Sequence, residues 1–375
     1  MLEEGRILYG LDDICIVPAK KSSILSRSEC KPYYIGSTRF SSFKTLPIFV
    51  APMSCLTNTE NIQKLAQVRL TEPGNSEQFA AIRPILSRGS SFEDRIEYLR
   101  QGYWAAFGIS ELLKIEERFK QESPWCLHIC IDVANGHMRS IFDAVERLKS
   151  VFADHVSIMV GNVANPETYR EYLTTECVDY VRLGIGSGNV CTTSVQTGIH
   201  YPMASLISDC KKIANSYESV CNVPAIVADG GFNRIDQCVK ALALGADFVM
   251  LGRIIAQSDE ACGKVFVKQG DEFVPESEVD SVGCSLYREY YGMSTKKAQR
   301  EFNPDRPESE LRHSEGLETF VPIKYSLTEW LQDFTHALKS SMSYTGHKHI
   351  ESFKNNSVCR PMSRTDFNAY MYKEI

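Results

Sequence analysis

The sequence contains no C-x-x-C pair, although it holds 13 cysteines. They are scattered singly, several within apolar runs (Cys126, Cys130, Cys177, Cys238). An odd number of isolated thiols in a chain of 375 residues excludes a disulfide framework and reads as reduced, intracellular cysteine. Cys126 and Cys130 lie four apart in a strand-like run and face the same way, so they read as core, and no structural zinc is predicted. No run of about 18 apolar residues occurs, which excludes a membrane-spanning helix. Basic residues are not in excess: 41 Lys and Arg stand against 47 Asp and Glu, a net charge of −6, which speaks against a nucleic-acid surface or a membrane-binding patch. The opening MLEEGRILYG is acidic and lacks the basic-then-apolar layout of a signal peptide, so a cytoplasmic protein is expected. A dinucleotide fingerprint is missing too. GIGSGN has Asn189 where G-x-G-x-x-G needs its last glycine.

What the chain does have is one recurring unit, a short β-rich apolar run followed by a turn and a stretch of helical spacing. The runs are LPIFVAP (46–52), QFAAIRP (78–84), YWAAFGI (103–109), LHICIDV (127–133), SIMVGNV (157–163), DYVRLGI (179–185), PAIVADGG (224–231) and DFVMLGR (247–253). In MRSIFDAVERLKSVF, residues Ile141, Val145, Leu148 and Phe152 fall on one helical face; in RIDQCVKALALGA, Ile235, Cys238, Val239 and Leu242 do. Near-continuous apolar runs are those of parallel strands covered on both faces. Eight of them, mostly 22 to 32 residues apart, predict a closed (β/α)8 barrel. An open doubly wound sheet is the competitor, but LPIFVAPMSCLTN carries no phosphate fingerprint after the first run. The expected organisation is a single barrel domain over 1–353, with an N-terminal cap over 1–45 and a polar, proline-broken, mobile flap-like segment over 295–316. A peripheral tail is expected over 354–375.

In such barrels chemistry sits at the C-terminal ends of the strands. There the sequence places Asp132 and Asn135, Gly184 to Thr193, Asp229 to Gly231, and Gly252 with Arg253. Cys191 lies on a loop of glycines and hydroxyl side chains, GIGSGNVCTTSVQTG. A thiolate stabilised by such donors is a nucleophile; a buried cysteine after a tight turn is the plainer alternative. The amides of Gly230, Gly231 and Gly252, with Arg253, suit a phosphate, and Asp229 suits ribose hydroxyls, although D-G-G is also an ordinary turn. Asp132 and Asn135 read as ligand contacts or a helix cap, and RHSEG (312–316) as a solvated loop or cap.

Taken in order, IDVANGH, GIGSGNVCTTSVQTGIHYP, ADGG, ALGADFVMLGR, YYGMS and HSEG resemble the IMP dehydrogenase/GMP reductase family, over most of residues 7–350. SILSRSE, the tight spacing between runs two and five, and the short stretch between YYGMS and SEG resemble the GMP reductase branch. The resemblance implies NADPH-dependent reductive deamination of GMP, or a close purine nucleotide, to IMP. Cys191 would attack C2, with Thr193 and Glu315 assisting proton delivery. It implies nucleotide contacts from Asp229, Gly230, Gly231, Gly252, Arg253, Gly188 and Asn189, and purine contacts from Met293, Ser294, Arg312, Ser314 and Gly316. It also implies a monovalent cation, K+, on the carbonyls of Gly186, Gly188 and Cys191, and a homotetramer. Cofactor contacts are expected at Asp132, Asn135, Arg83 and Ser110. The family usually has serine where Asn189 stands and a small residue where Arg253 stands. IRPI, with Arg83, replaces its histidine–lysine segment; FGIS replaces a serine-rich turn; and Ser54 replaces an aspartate. IMP oxidation with NAD and a catalytically silent nucleotide-binding barrel are the alternatives.

Overall fold

Eight parallel strands close on themselves: Ile48–Val50, Arg83–Leu86, Trp104–Phe107, Leu127–Asp132, Val156–Val163, Tyr180–Leu183, Ala225–Asp229 and Phe248–Leu251. They are called here the first to eighth barrel strands. The eighth pairs with the first, Val249 opposite Ile48, which makes the (β/α)8 barrel complete. The computed structural model describes residues 6–38, 41–71, 78–120, 122, 126–217, 222–279, 283–302, 307–311, 313–363 and 366.

The apolar runs are strands because both of their faces are covered. Ile48, Phe49 and Val50 are fully buried, as are Ala105, Ala106 and Phe107. The helix Arg139–Phe152 buries Ile141, Val145, Leu148 and Phe152, the stripe its spacing predicts. The helix Ile235–Ala243 buries more than its stripe, including Gln237, Lys240 and Ala241. Two C-terminal helices, Leu327–Thr345 and Ile350–Asn356, pack over its outer side, and Lys240 answers its own burial by pairing with Asp236 at 3.0 Å.

One expectation is corrected. The second barrel strand is not 78–84. Gln78–Ala80 instead pairs antiparallel with Arg69–Thr71, and the barrel strand starts at Arg83. Ile85 and Leu86, just beyond the expected run, are fully buried and supply its apolar content. ILYGLDDICIVPA makes one strand, Ile14–Val17, and its partner is the distant Val358–Pro361. Within the stretch expected as a peripheral tail, residues 358–361 thus pair with the N-terminal cap. Within the flap-like segment the described residues include a helix, Lys296–Phe302, and a turn, Glu308–Glu310.

Arg83 moves with its strand. It stands at the N-terminal end of the barrel, remote from the rim where a cofactor contact was expected. Its Nη1 donates to Tyr180 Oη at 3.2 Å, and its guanidinium lies 5.2 Å from the Phe248 ring centre. Phe49 meets Trp104 and Tyr180 edge-on, each at 5.7 Å between ring centres. Each of these four pairs spans non-neighbouring strands, so the contact is made through the interior. They form an aromatic floor.

A small antiparallel sheet is appended after the eighth strand, in the order 272–275, 265–269, 286–291, 318–322. It carries the chain past the rim twice, at Tyr290–Gly292 and at Glu315–Leu317.

His128, stacked on Trp104 in the floor, has its pKa pushed down to about 4 by burial and by the Arg83 charge. Below about pH 6.5 the unfolded chain takes up a proton that the folded chain refuses until about pH 4, so stability is lost as pH falls through that window. The expected contribution is up to about 3 kcal/mol. Urea unfolding of wild type and His128→Phe at pH 7 and pH 4 measures it: the variant should lose less stability on acidification.

Candidate active site

The loop after the sixth strand is shaped by close approach. Gly184 has φ +125°, and a Cβ there would lie 2.3 Å from the Asp229 carbonyl oxygen. Gly230 has φ +115°, and a Cβ would lie 2.3 Å from Ser187 Oγ, which donates to that same carbonyl at 3.0 Å. The loops after strands six and seven thus interlock, and only glycine fits these two places. Gly231, with φ +82°, continues the turn. Asn189 Oδ1 accepts from Asn233 Nδ2 at 2.8 Å, a third tie between the loops.

Within this frame Cys191 N–H donates to the Gly188 carbonyl at 3.0 Å. Residues 190–192 then pair antiparallel with 315–317: Thr192 N–H donates to the Glu315 carbonyl (2.8 Å), and Leu317 N–H to the Val190 carbonyl (2.9 Å). That pairing sets the side chains in line. Cys191 Sγ donates to Thr193 Oγ1 at 3.3 Å, and Thr193 Oγ1 donates to Glu315 Oε2 at 2.7 Å. A thiol, a hydroxyl and a carboxylate, 122 residues apart at the extremes of that last bond, form one chain of donors. Cys191 is half-buried, whereas Cys55, Cys130 and Cys238 are sealed in the core. Burial pushes the Cys55 and Cys130 thiols up to about 12.

The expected purine contacts gather beside it. Ser314 Oγ donates to the Gly316 carbonyl, and Gln196 Nε2 to the Ser314 carbonyl, at 2.9 and 3.1 Å. A Cβ on Gly316 would stand 3.1 Å from Ser294 Oγ. Met293 is half-buried against the core. Arg312 lies outside the described residues. On the far side Gly252 opens a one-turn helix, Arg253–Ala256, and a Cβ on it would meet Tyr290 Oη at 2.8 Å. Arg253 is half-buried near the Tyr290 and Tyr325 hydroxyls and pairs with no carboxylate among the described residues. The Gly186 carbonyl accepts from Ser194 Oγ (2.9 Å). No cluster of three or more His, Cys, Asp or Glu side chains suited to a metal ion occurs among the described residues.

The remaining rim residues are less uniform. Ser110 is exposed on the turn Ile109–Glu111. Asn135 accepts from His137 N–H at 3.1 Å and shapes a turn; it caps no helix, since the next begins at Arg139. Asp132 is engaged by Arg182, whose buried guanidinium also reaches Asp229 (2.7 and 2.8 Å). Burial alone would lower the Arg182 pKa, but the Asp229 and Asp132 carboxylates outweigh it and hold the group charged. Arg182 was hidden in the run DYVRLGI; the signal was a single cation inside an apolar strand. Arg88 was missed for the same reason that Arg83 was misplaced. With the second strand starting at Arg83, Arg88 is the basic residue that emerges at the rim. Its Nη1 donates to the Asp132 carbonyl at 3.2 Å, and its Nε is buried without a hydrogen-bond partner.

A closed eight-stranded barrel with a thiol-centred site on its C-terminal rim narrows the class. The family model of the IMP dehydrogenase / GMP reductase domain matches residues 9–368, so the chain belongs to that family of oxidoreductases acting on purine nucleotides. It is 34% identical over 229 residues to inosine-5'-monophosphate dehydrogenase of Chlorobaculum parvum, covering 61% of this chain and 44% of that protein. It is 29% identical over 360 residues to GMP reductase of Buchnera aphidicola, covering 95% and 94%. It is 28% identical over 360 residues to human GMP reductase 2, covering 92% of each. The chain thus spans less than half of the dehydrogenase it matches and nearly all of the two reductases. No helix among the described residues is long and apolar enough to cross a membrane.

The burial pattern predicts an order of labelling. Iodoacetamide under native conditions should modify the exposed Cys284 and then the half-buried thiols, Cys191 among them, and leave Cys55, Cys130 and Cys238 untouched until the protein unfolds. Peptide mass spectrometry over time checks this; a Cys191 no faster than Cys130 would contradict the accessible rim thiol.

Proposed function

We propose that the protein is a GMP reductase-like oxidoreductase, converting GMP or a close purine nucleotide to IMP and ammonia with NADPH. The observation that carries the reading is the line from Cys191 Sγ through Thr193 Oγ1 to Glu315 Oε2 in a barrel of this family.

The donors run from thiol to carboxylate, so the thiol proton has a path to Glu315 as Sγ becomes the nucleophile. The Sγ–C2 bond forms on the purine, and the C2–amino bond then breaks. The departing nitrogen takes a proton returned from Glu315 through Thr193, and leaves as ammonia. C2 stays bonded to Sγ as a thioimidate. NADPH, when bound, supplies the hydride that arrives at C2. The carbon–sulfur bond then breaks, which restores the thiolate and releases IMP. Thr193 is a positioned hydroxyl between two groups that do not touch each other directly.

The nucleotide lies between the interlocked loops. Asp229 takes the ribose hydroxyls. The amides of Gly188, Gly230, Gly231 and Gly252, with Asn189 and Arg253, take the phosphate, and Met293, Ser294, Arg312, Ser314 and Gly316 border the purine. Arg88, Ser110, Asp132 and Asn135 are the residues that would hold NADPH. Arg88 suits that part because a rim guanidinium fits a phosphate-bearing dinucleotide; its buried Nε makes no hydrogen bond and stands 3.8 Å from Glu111 Oε2. A monovalent cation such as K+ would share the carbonyls of Gly186, Gly188 and Cys191. The first two already accept one hydrogen bond each and keep a second lone pair. Assembly as a homotetramer in the cytoplasm belongs to the same proposal.

IMP dehydrogenation is the second reading, favoured by the 34% identity to a dehydrogenase. Incubation with GMP and NADPH in potassium-containing buffer, followed by nicotinamide absorbance, should show turnover. XMP formed from IMP and NAD would replace the proposal with the second reading, and turnover with no guanine nucleotide would remove it. Cys191→Ala should abolish turnover while calorimetry still detects GMP binding; equal loss of binding would deny the thiol a purely chemical part. Arg253→Ala should weaken GMP binding by about 1.5–3 kcal/mol, the worth of a charge-assisted hydrogen bond. Unchanged affinity would mean that this guanidinium does not reach the phosphate.

A further inference from the structure

Arg182 is the only charged residue of the sixth barrel strand, and it is 5% exposed. Its guanidinium is divided between two other strands. Nη1 donates to Asp132 Oδ1 at 2.7 Å, at the end of the fourth strand. Nη2 and Nε donate to Asp229 Oδ2 at 2.8 and 3.3 Å, at the end of the seventh. Asn162, from the fifth strand, donates its Nδ2 to the same Asp229 oxygen and to the Gly184 carbonyl, both at 2.8 Å. The result is asymmetric. Three donors converge on Asp229 Oδ2 and one on Asp132 Oδ1, while Asp229 Oδ1 and Asp132 Oδ2 accept no hydrogen bond among the described residues.

We infer that Arg182 is a positioning residue: it clamps one oxygen of each carboxylate and thereby presents the other, Asp229 Oδ1 to the ribose hydroxyls of the nucleotide and Asp132 Oδ2 to the dinucleotide. The inference rests on the proposed nucleotide chemistry. A carboxylate left alone turns freely about its last torsion, which is broad and roughly two-fold. Fixing it beforehand removes that ordering cost from binding. The planar guanidinium suits the task because its donors point in set directions, so two acceptors at different angles are held at once. Nη1 also donates to the Cys130 thiol at 3.6 Å, a weak acceptor on the same strand as Asp132. Burial keeps the thiol neutral, its pKa pushed up to about 12.

Calorimetry with GMP and with 2′,3′-dideoxy-GMP separates positioning from mere support of the fold. The ratio of the two dissociation constants reports what the ribose hydroxyls gain from Asp229. Wild type should show a ratio of about 10- to 100-fold, the range for hydrogen bonds to a charged group. Arg182→Gln should lower that ratio by roughly ten-fold and weaken NADPH binding as well, whereas a loosened barrel would weaken both nucleotides alike. Arg182→Lys keeps the charge but loses the fork, and should fall between; it also serves should Arg182→Gln fail to fold. An unchanged ratio in whichever variant folds overturns the inference. A wild type that binds neither nucleotide removes the nucleotide reading and this inference with it. A wild type that binds GMP with a ratio of one removes the ribose contact, and so the clamp's purpose, while leaving the nucleotide reading in place.

Discussion

Two backbone hydrogen bonds hold the rim site together: Thr192 N–H to the Glu315 carbonyl, and Leu317 N–H to the Val190 carbonyl. They join a loop of the barrel to a chain segment that returns to the rim just before the last strand of the appended sheet. Without them Glu315 has no reason to be near Thr193, and the line of donors from Cys191 would stop at the hydroxyl. The pairing is only three residues long on each side. It is set in register by tight neighbours, because a Cβ on Gly292 would lie 2.8 Å from the Val190 carbonyl oxygen and one on Gly316 would crowd Thr295 and Ser294. Small residues at both crossings let two backbones approach that larger ones would hold apart.

Around that pairing the electrostatics are arranged by burial. An ionised guanidinium inside a barrel is costly unless its partners are close and well aligned. Arg182 meets that condition with carboxylates on two strands, so the same contacts that make its charge tolerable also order the rim. Removing it would leave the Asp132 and Asp229 carboxylates at the rim with their counter-charge gone. Charge at the centre of the site and geometry at its edge are one arrangement seen twice.

Much of this could be read from residue order, and the misses have physical causes. The alternation of apolar runs and helical stripes was enough for the barrel, and the helix Arg139–Phe152 buries the residues its period names. The second strand slipped because an apolar run marks where chain is buried without saying in which sheet; Phe79 is buried in a hairpin with Arg69–Thr71, and PIL in the barrel itself. That slip exchanged Arg83 for Arg88 at the rim. Arg182 was passed over because one cation does not disturb an otherwise apolar strand, and its partners stand 50 and 47 positions away. The union of Val358–Pro361 with Ile14–Val17 is a contact between chain ends, which no local pattern announces.

Arginines mark both ends of the barrel, and what surrounds each decides what it can do. At the floor, the Arg83 guanidinium lies over the Phe49 and Phe248 rings and donates to Tyr180, so its charge is taken up by aromatic faces and a phenol. Near the rim, the Arg182 charge is divided between two carboxylates. Arg253 has neither arrangement. It starts its short helix beside the Tyr290 and Tyr325 hydroxyls, and no carboxylate among the described residues answers it. An uncompensated, half-buried cation beside glycine amides leaves that edge of the rim electropositive, while the opposite edge carries Glu315. On the proposed reading, a nucleotide lying across the rim would be oriented by that difference, its phosphate toward Arg253 and its purine toward the thiol and the carboxylate.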